Sequence, residues 1–119
     1  MNLSQKRCVP CEGGTMPLFK QKAEELLQEL NSSDASGSGV KGWELSPDAK
    51  SISKGFTFKN FAEALAFANQ IGGVAEKEGH HPDLTISWGK VGVQLSTHVI
   101  GGLSENDFIL AAKIDTVEV

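Results

Sequence analysis

Apolar residues recur along the chain in two rhythms, one helical and one extended, and the order in which they alternate predicts the fold. In PLFKQKAEELLQELN, residues 17–31, Phe19, Ala23, Leu26, Leu27 and Leu30 form a stripe at helical spacing. Thr15 is placed to cap this helix, and Pro17 suits a first turn, where a missing N–H costs nothing. The serine and glycine content of SSDASGSGVKG predicts a flexible loop over 32–42 rather than a linker between domains. In WELSPDAKSISKGFTF the period drops to two. Trp43 and Leu45 alternate with polar residues, SPDAK supplies a turn, and Ile52, Phe56 and Phe58 resume the extended pattern.

Helical period returns in NFAEALAFANQIGGVAEKEG. Phe61, Ala64, Leu65, Ala68, Ile71 and Ala75 share one side, and Asn60 and Glu63 are spaced as a capping box. Gly72 and Gly73 weaken this helix, each by about 1 kcal/mol relative to alanine. DLTISW and KVGVQLSTH alternate again around a tight turn at Gly89 and Lys90, with Leu84, Ile86 and Trp88 in one inward row and Val91, Val93 and Leu95 in the other. SENDFILAAKIDTV completes the pattern: Ser104 and Asp107 are spaced as a second box, and Phe108, Ala111 and Ile114 face inward. The order is α-β-β-α-β-β-α. Hairpins pair antiparallel, so the fold class is α+β, a four-stranded antiparallel sheet with three helices packed on one face. Such a sheet leaves a face and two edges open, which a second copy of the chain would cover.

Length and charge narrow the picture. A chain of 119 residues predicts a single domain, 1–119, with a core that needs no metal or disulfide staple and with residues 1–16 as an N-terminal extension. The net charge of −4 and the scattered basic residues argue against direct binding of nucleic acid. No run approaches the ~20 apolar residues of a membrane span. MNLSQKRCVP has no apolar stretch of signal-peptide length, so the expected address is cytoplasmic. Cys8 and Cys11 form one isolated CxxC, read as a local turn with two ordinary thiols rather than half a zinc site or a redox motif.

The candidate chemistry lies in EKEGHHPD, residues 76–83, and in His98, which together hold all three histidines of the chain. Gly79 is a helix stop, and Pro82 pushes His81 into extended geometry. Glu76 and His80 are four apart, so continued helical winding would let the carboxylate orient that imidazole and favour its charged form. In a regular strand His98 points with Gln94 and Ser96, away from the core row, at the end of a rigid element. The hairpin joins the strand that starts at Asp83 to the strand that ends at His98, which predicts that the imidazoles converge. Three readings compete: solvated polar residues at a helix end, three imidazoles on a zinc ion, and metal-free acid–base chemistry. Adjacent histidines rarely both reach one ion and no HExxH helix is present, which weighs against metal. Imidazoles exchange protons near neutral pH without further help.

These segments, EKEGHHPD, then KVGVQLSTH, then GGLSENDFILAAKID, resemble the pterin-4a-carbinolamine dehydratase family, and ISKGFTFKNFAEALAFANQI resembles its hairpin-to-helix segment. The resemblance covers residues 43–115. It implies removal of water from 4a-hydroxytetrahydrobiopterin to give quinonoid dihydropterin, with neither cofactor nor metal, in recycling of the cofactor of aromatic amino acid hydroxylases. It further implies that His80 and His98 handle protons as catalytic residues, that Glu76 sets the charge and orientation of His80, and that His81, Asp83, Thr97 and Asp107 serve the pterin substrate. Asp107 carries a second reading as a plain helix cap. Where familiar animal members have a tryptophan after the acidic residue that follows HHP, this chain has Leu84, which removes any aromatic stacking from that position. The family also implies a homodimer or homotetramer. The alternative function it implies is a protein-binding module that acts as dimerisation cofactor of a transcription factor.

Overall fold

The computed structural model describes residues 18–32 and 42–117, with the side chains of Ser32 and His98 excepted. Thr15, Pro17, Cys8, Cys11 and most of the 32–42 loop lie outside the described residues. The elements run α1 (Lys20–Ser32), β1 (Glu44–Leu45), β2 (Ile52–Thr57), α2 (Phe61–Glu78), β3 (Asp83–Ser87), β4 (Lys90–Leu95), a 3-10 turn (His98–Ile100) and α3 (Glu105–Asp115). The strands lie antiparallel in the order β1-β2-β4-β3, so the two hairpins are joined through their inner strands.

One face of the sheet is dry. Ile52, Val91, Val93 and Leu95 are buried there beneath Ala23, Leu26 and Leu30 of α1, Ala64, Phe67 and Ile71 of α2 and nearly all of α3. The third helix is the central one: Asn106 through Ala112 are all buried, although only Phe108, Ala111 and Ile114 belong to the predicted inward stripe. A helix wrapped on several sides shows little amphipathic signal, so periodicity understates its burial. Phe67 is also buried, outside the predicted row of α2, and stacks its ring near those of Phe56 and Phe58, at 4.7 and 5.0 Å between centroids.

A lysine interrupts the inward row of β2. Lys54 is 7% exposed, and its Nζ donates to Asp115 Oδ1 at 2.8 Å, while Asp115 Oδ2 accepts from Trp43 Nε1 at 3.0 Å. The ion pair bolts the end of α3 to the sheet; removing one buried partner typically costs about 3–5 kcal/mol.

Local chemistry sets the helix ends. Asn60 caps α2 by accepting from Glu63 N–H at 2.9 Å, as its spacing predicts. Gly72 and Gly73 remain inside a continuous helix that ends at Gly79, whose φ of 68° is left-handed. Four expectations need correction. Phe19 precedes α1 and is 77% exposed, because the helix begins one residue later. The tight turn is Trp88-Gly89, since Lys90 already pairs with Ser87 in β4. Gly89 adopts φ 69°, and a Cβ there would press on the Phe58 carbonyl oxygen at 3.0 Å. Trp88 and Ile86 do not join an inward row: they are 73% and 38% exposed at the tip and edge of the sheet. No helix among the described residues is long and apolar enough to cross a membrane.

Candidate active site

Gly79 decides where the two adjacent histidines go. Its left-handed backbone ends α2, with its own N–H and that of His80 both turned back to the Ala75 carbonyl. Past that reversal the chain leaves the helix axis, and the i, i+4 relation between Glu76 and His80 is lost. Glu76 meets His81 instead, Oε1 to Nε2 at 2.9 Å, on the surface. The expectation that Glu76 orients His80 is thereby overturned.

His80 has a different carboxylate. Its Nε2 lies 2.6 Å from Oδ1 of Asp107, a residue 27 positions away that is completely buried. Asp107 holds the third position of α3, so it caps the helix and meets the imidazole at once. Its Oδ2 accepts from the Ser104 backbone N–H at 3.0 Å and from Thr97 Oγ1 at 2.8 Å. The cap reading of Asp107 holds, and the same buried carboxyl also meets an imidazole; its contacts here are all with protein groups. Being buried without solvent, this carboxyl is stabilised as an acceptor by three donors. Towards an ionised carboxylate, which accepts only, Nε2 is the donor in this contact. The side chain of His80 is 12% exposed, enough to reach a small ligand and too little to be freely solvated.

Thr97 follows β4 directly after Ser96 and is 5% exposed. Its hydroxyl is bonded to Asp107 Oδ2 and lies 2.8 Å from Ser104 Oγ. His98 opens the 3-10 turn after Thr97 and does not continue the strand, so strand alternation does not set its direction. Its backbone stands one peptide bond from the residue that meets Asp107; its side chain lies outside the described residues. Asp83, exposed at the start of β3 opposite Gln94, lines a depression of about 330 Å³ on the uncovered face of the sheet. Glu44, Ser53, Gly55 and Gly92 share that depression, and among the described residues no hydrogen bond joins Asp83 to the His80–Asp107 pair. Ser104 was legible only as a cap. The signal that could have placed it in the site is the coincidence of a capping box with a Thr-His pair a few residues upstream.

The candidate site thus holds one imidazole against a buried carboxylate, and that carboxylate also meets Thr97, the residue before the turn that opens with His98. The family model described as Pterin 4 alpha carbinolamine dehydratase matches residues 17–117. The chain belongs to that family. Among its relatives is a Halorhodospira halophila protein named "Putative pterin-4-alpha-carbinolamine dehydratase", 45% identical over 117 residues, which are 98% of each chain. A Rickettsia canadensis protein of the same name is 47% identical over 114 residues, 96% of this chain and 95% of the relative. The fold matches that of a Brucella melitensis protein described as a transcriptional coactivator/pterin dehydratase, with a TM-score of 0.68, 30% identity and coverage of 82% of this chain and 94% of that one. A pterin dehydratase-like protein described as a RuBisCO assembly factor of the alpha-carboxysome shares the fold at TM-score 0.54 and 22% identity, over 63% of this chain and 87% of that one. The carbinolamine dehydratase architecture of three helices over a four-stranded antiparallel sheet is therefore common to proteins described by different roles, and the site has to carry the functional argument.

Proposed function

We propose that the chain dehydrates 4a-hydroxytetrahydrobiopterin to quinonoid dihydropterin and water, in the cytoplasm, as a step in tetrahydrobiopterin recycling. The observation that carries this reading is the His80–Asp107 pair, an imidazole against a buried carboxylate at 2.6 Å. The reaction breaks the C4a–O bond and forms a C4a–N5 double bond. The departing hydroxyl takes a proton from a general acid, and the N5 proton passes to a base, so one proton is given and one received. His80, through Nδ1, and His98 divide these two transfers. His81, exposed beside the helix exit, and Asp83, at the mouth of β3, contact the pterin. Properly placed acid and base groups contribute about 10²–10⁴-fold.

The test follows quinonoid dihydropterin formation by purified protein from synthetic carbinolamine. Turnover well above the buffer rate, lost in His80→Ala and His98→Ala, is expected. A folded wild-type protein that matches buffer alone overturns the reading.

The same proposal extends to assembly. Among the described residues β3 has no partner on its outer edge, and an edge strand that long favours pairing with a second copy, giving a homodimer or homotetramer. Light scattering that reports a monomer at working concentration rules this out. A second reading, a protein-binding module that assists dimerisation of a transcription factor, draws on the coactivator description of the Brucella protein and on the rings of Phe61 and Trp88, 45% and 73% exposed. His80→Ala separates the two: it abolishes dehydration and leaves a partner interaction intact.

A further inference from the structure

The hydroxyl groups beside α3 form a chain with a direction. Thr97 Oγ1 donates to Asp107 Oδ2 at 2.8 Å, and a hydroxyl has one proton to give. The 2.8 Å contact between Thr97 Oγ1 and Ser104 Oγ is therefore one in which Ser104 donates. With the Thr97 hydroxyl and the Ser104 N–H both on Oδ2, Oδ1 is the oxygen left to face His80. The carboxylate plane cannot turn without breaking two hydrogen bonds, so Thr97 determines where the His80 ring finds its acceptor.

The backbone of Thr97 holds the other imidazole's loop. Its N–H donates to the Gly102 carbonyl at 2.8 Å, and its carbonyl accepts from Ile100 N–H at 3.2 Å and Gly102 N–H at 3.4 Å. These bonds close residues 98–101 into the short loop whose backbone carries His98, with Gly101 at φ 69° completing the reversal. One residue, with its side chain buried and its hydroxyl engaged, touches the acceptor of one histidine and closes the backbone loop that carries the other.

We propose that Thr97 is a positioning residue that sets His80 and His98 in register for the two proton transfers, with Ser104 orienting its hydroxyl. The assignment differs from a substrate contact, which would leave the hydroxyl facing the ligand. It rests on the dehydratase reading, but its first readout needs no turnover. In protein labelled with 15N-histidine, the ring of His80, assigned by its loss in His80→Gln, shows the tautomer protonated at Nε2. Thr97→Val keeps the side-chain shape, removes the donor and moves that ring signal towards mixed tautomers. The pH profile of kcat/KM shifts with it, kcat falls by about 10–100-fold as expected of a misplaced group, and KM changes little. Thr97→Ser, which keeps the hydroxyl, restores both signal and rate.

A wild-type ring protonated at Nδ1 overturns the proposal. So does a Thr97→Val protein with an unchanged ring signal and pH profile, or a Thr97→Ser protein as impaired as Thr97→Val. Where Thr97→Val fails to fold, Ser104→Ala replaces it; a displaced His80 signal is expected there, and an unmoved one overturns the role of the hydroxyl chain. A wild-type protein that shows the expected tautomer and its loss in Thr97→Val but does not dehydrate the carbinolamine leaves the positioning role standing and removes the dehydratase reading.

Discussion

His80 and His81 are neighbours in the chain, and each has a ring nitrogen against a carboxylate, at 2.6 Å from Asp107 and 2.9 Å from Glu76. Distance scarcely separates the two pairs. Burial does: the side chains are 12% and 0% exposed in the first, 61% and 79% in the second. On the surface, water competes for every hydrogen bond, salt screens the charges, and two mobile side chains lose entropy to meet; such pairs contribute about 0.2–1 kcal/mol. In the interior water competes little, and Asp107 is held in place by Thr97 and the Ser104 N–H, so the contact restricts the orientation of the ring. A short imidazole–carboxylate distance alone therefore identifies neither a catalytic group nor a stabilising one.

The largest expected effect is on the buried pair. Asp107→Asn keeps the shape but places an amide where three donors converge, so at least one donor loses its acceptor. Dehydration should slow by about 10²–10⁴-fold, and stability to urea should fall by about 1–3 kcal/mol. Steady-state rates and denaturation curves of the same preparation check both.

Next is Gly79, the residue from which both pairs diverge. Alanine at its φ of 68° should cost about 1–2 kcal/mol for the left-handed backbone, read as a lower urea midpoint. Nothing lies within 4 Å of the added methyl, so the loss isolates backbone strain from crowding. Glu76→Gln should be milder still, within about 1 kcal/mol in stability and fading with added salt. If Glu76→Gln slows dehydration as much as Asp107→Asn, the contrast between the pairs is wrong and the exposed carboxylate does work that its burial does not reveal.

The smallest effect concerns a third carboxylate, Asp48 in the β1–β2 turn. The Ser46 hydroxyl, donating at 2.6 Å, and the Lys50 backbone N–H at 3.1 Å hold its carboxyl below the ordinary value of 3.8. A depressed folded value means that the stabilisation is present above the unfolded value and is lost as the pH falls through the folded one. Wild type and Asp48→Asn should therefore differ slightly in urea midpoint at neutral pH and converge in acid, a comparison made between about pH 5 and pH 2.

Much of the architecture was legible because it is local. The change of period from helical to extended predicted every α-helix and strand of the described residues, though not the 3-10 turn at His98–Ile100, and the Asn60 and Ser104 caps mark helix starts that the structure confirms at Phe61 and Glu105. The misreadings cluster where an element ends. Trp88 continues an alternating pattern on paper, but the strand stops at Ser87 and the ring turns to solvent. His98 likewise extends the β4 alternation on paper, whereas β4 stops at Leu95. Lys54 breaks the inward row of β2 and is tolerated because Asp115, 61 residues on, supplies its counter-charge.

By itself, the sequence determined the element order, the helix stop at Gly79, the gathering of histidines near one end of the sheet and the family to which those motifs belong. Each is settled by residues a few positions apart, where backbone dihedrals and side-chain period act directly. Only the tertiary structure decided that Asp107 rather than Glu76 takes His80, and that Thr97 and Ser104 are committed to that carboxylate. Partner choice between distant groups depends on which donor and acceptor are deprived of water together. Exclusion of water belongs to the packed molecule and to no single segment of its chain.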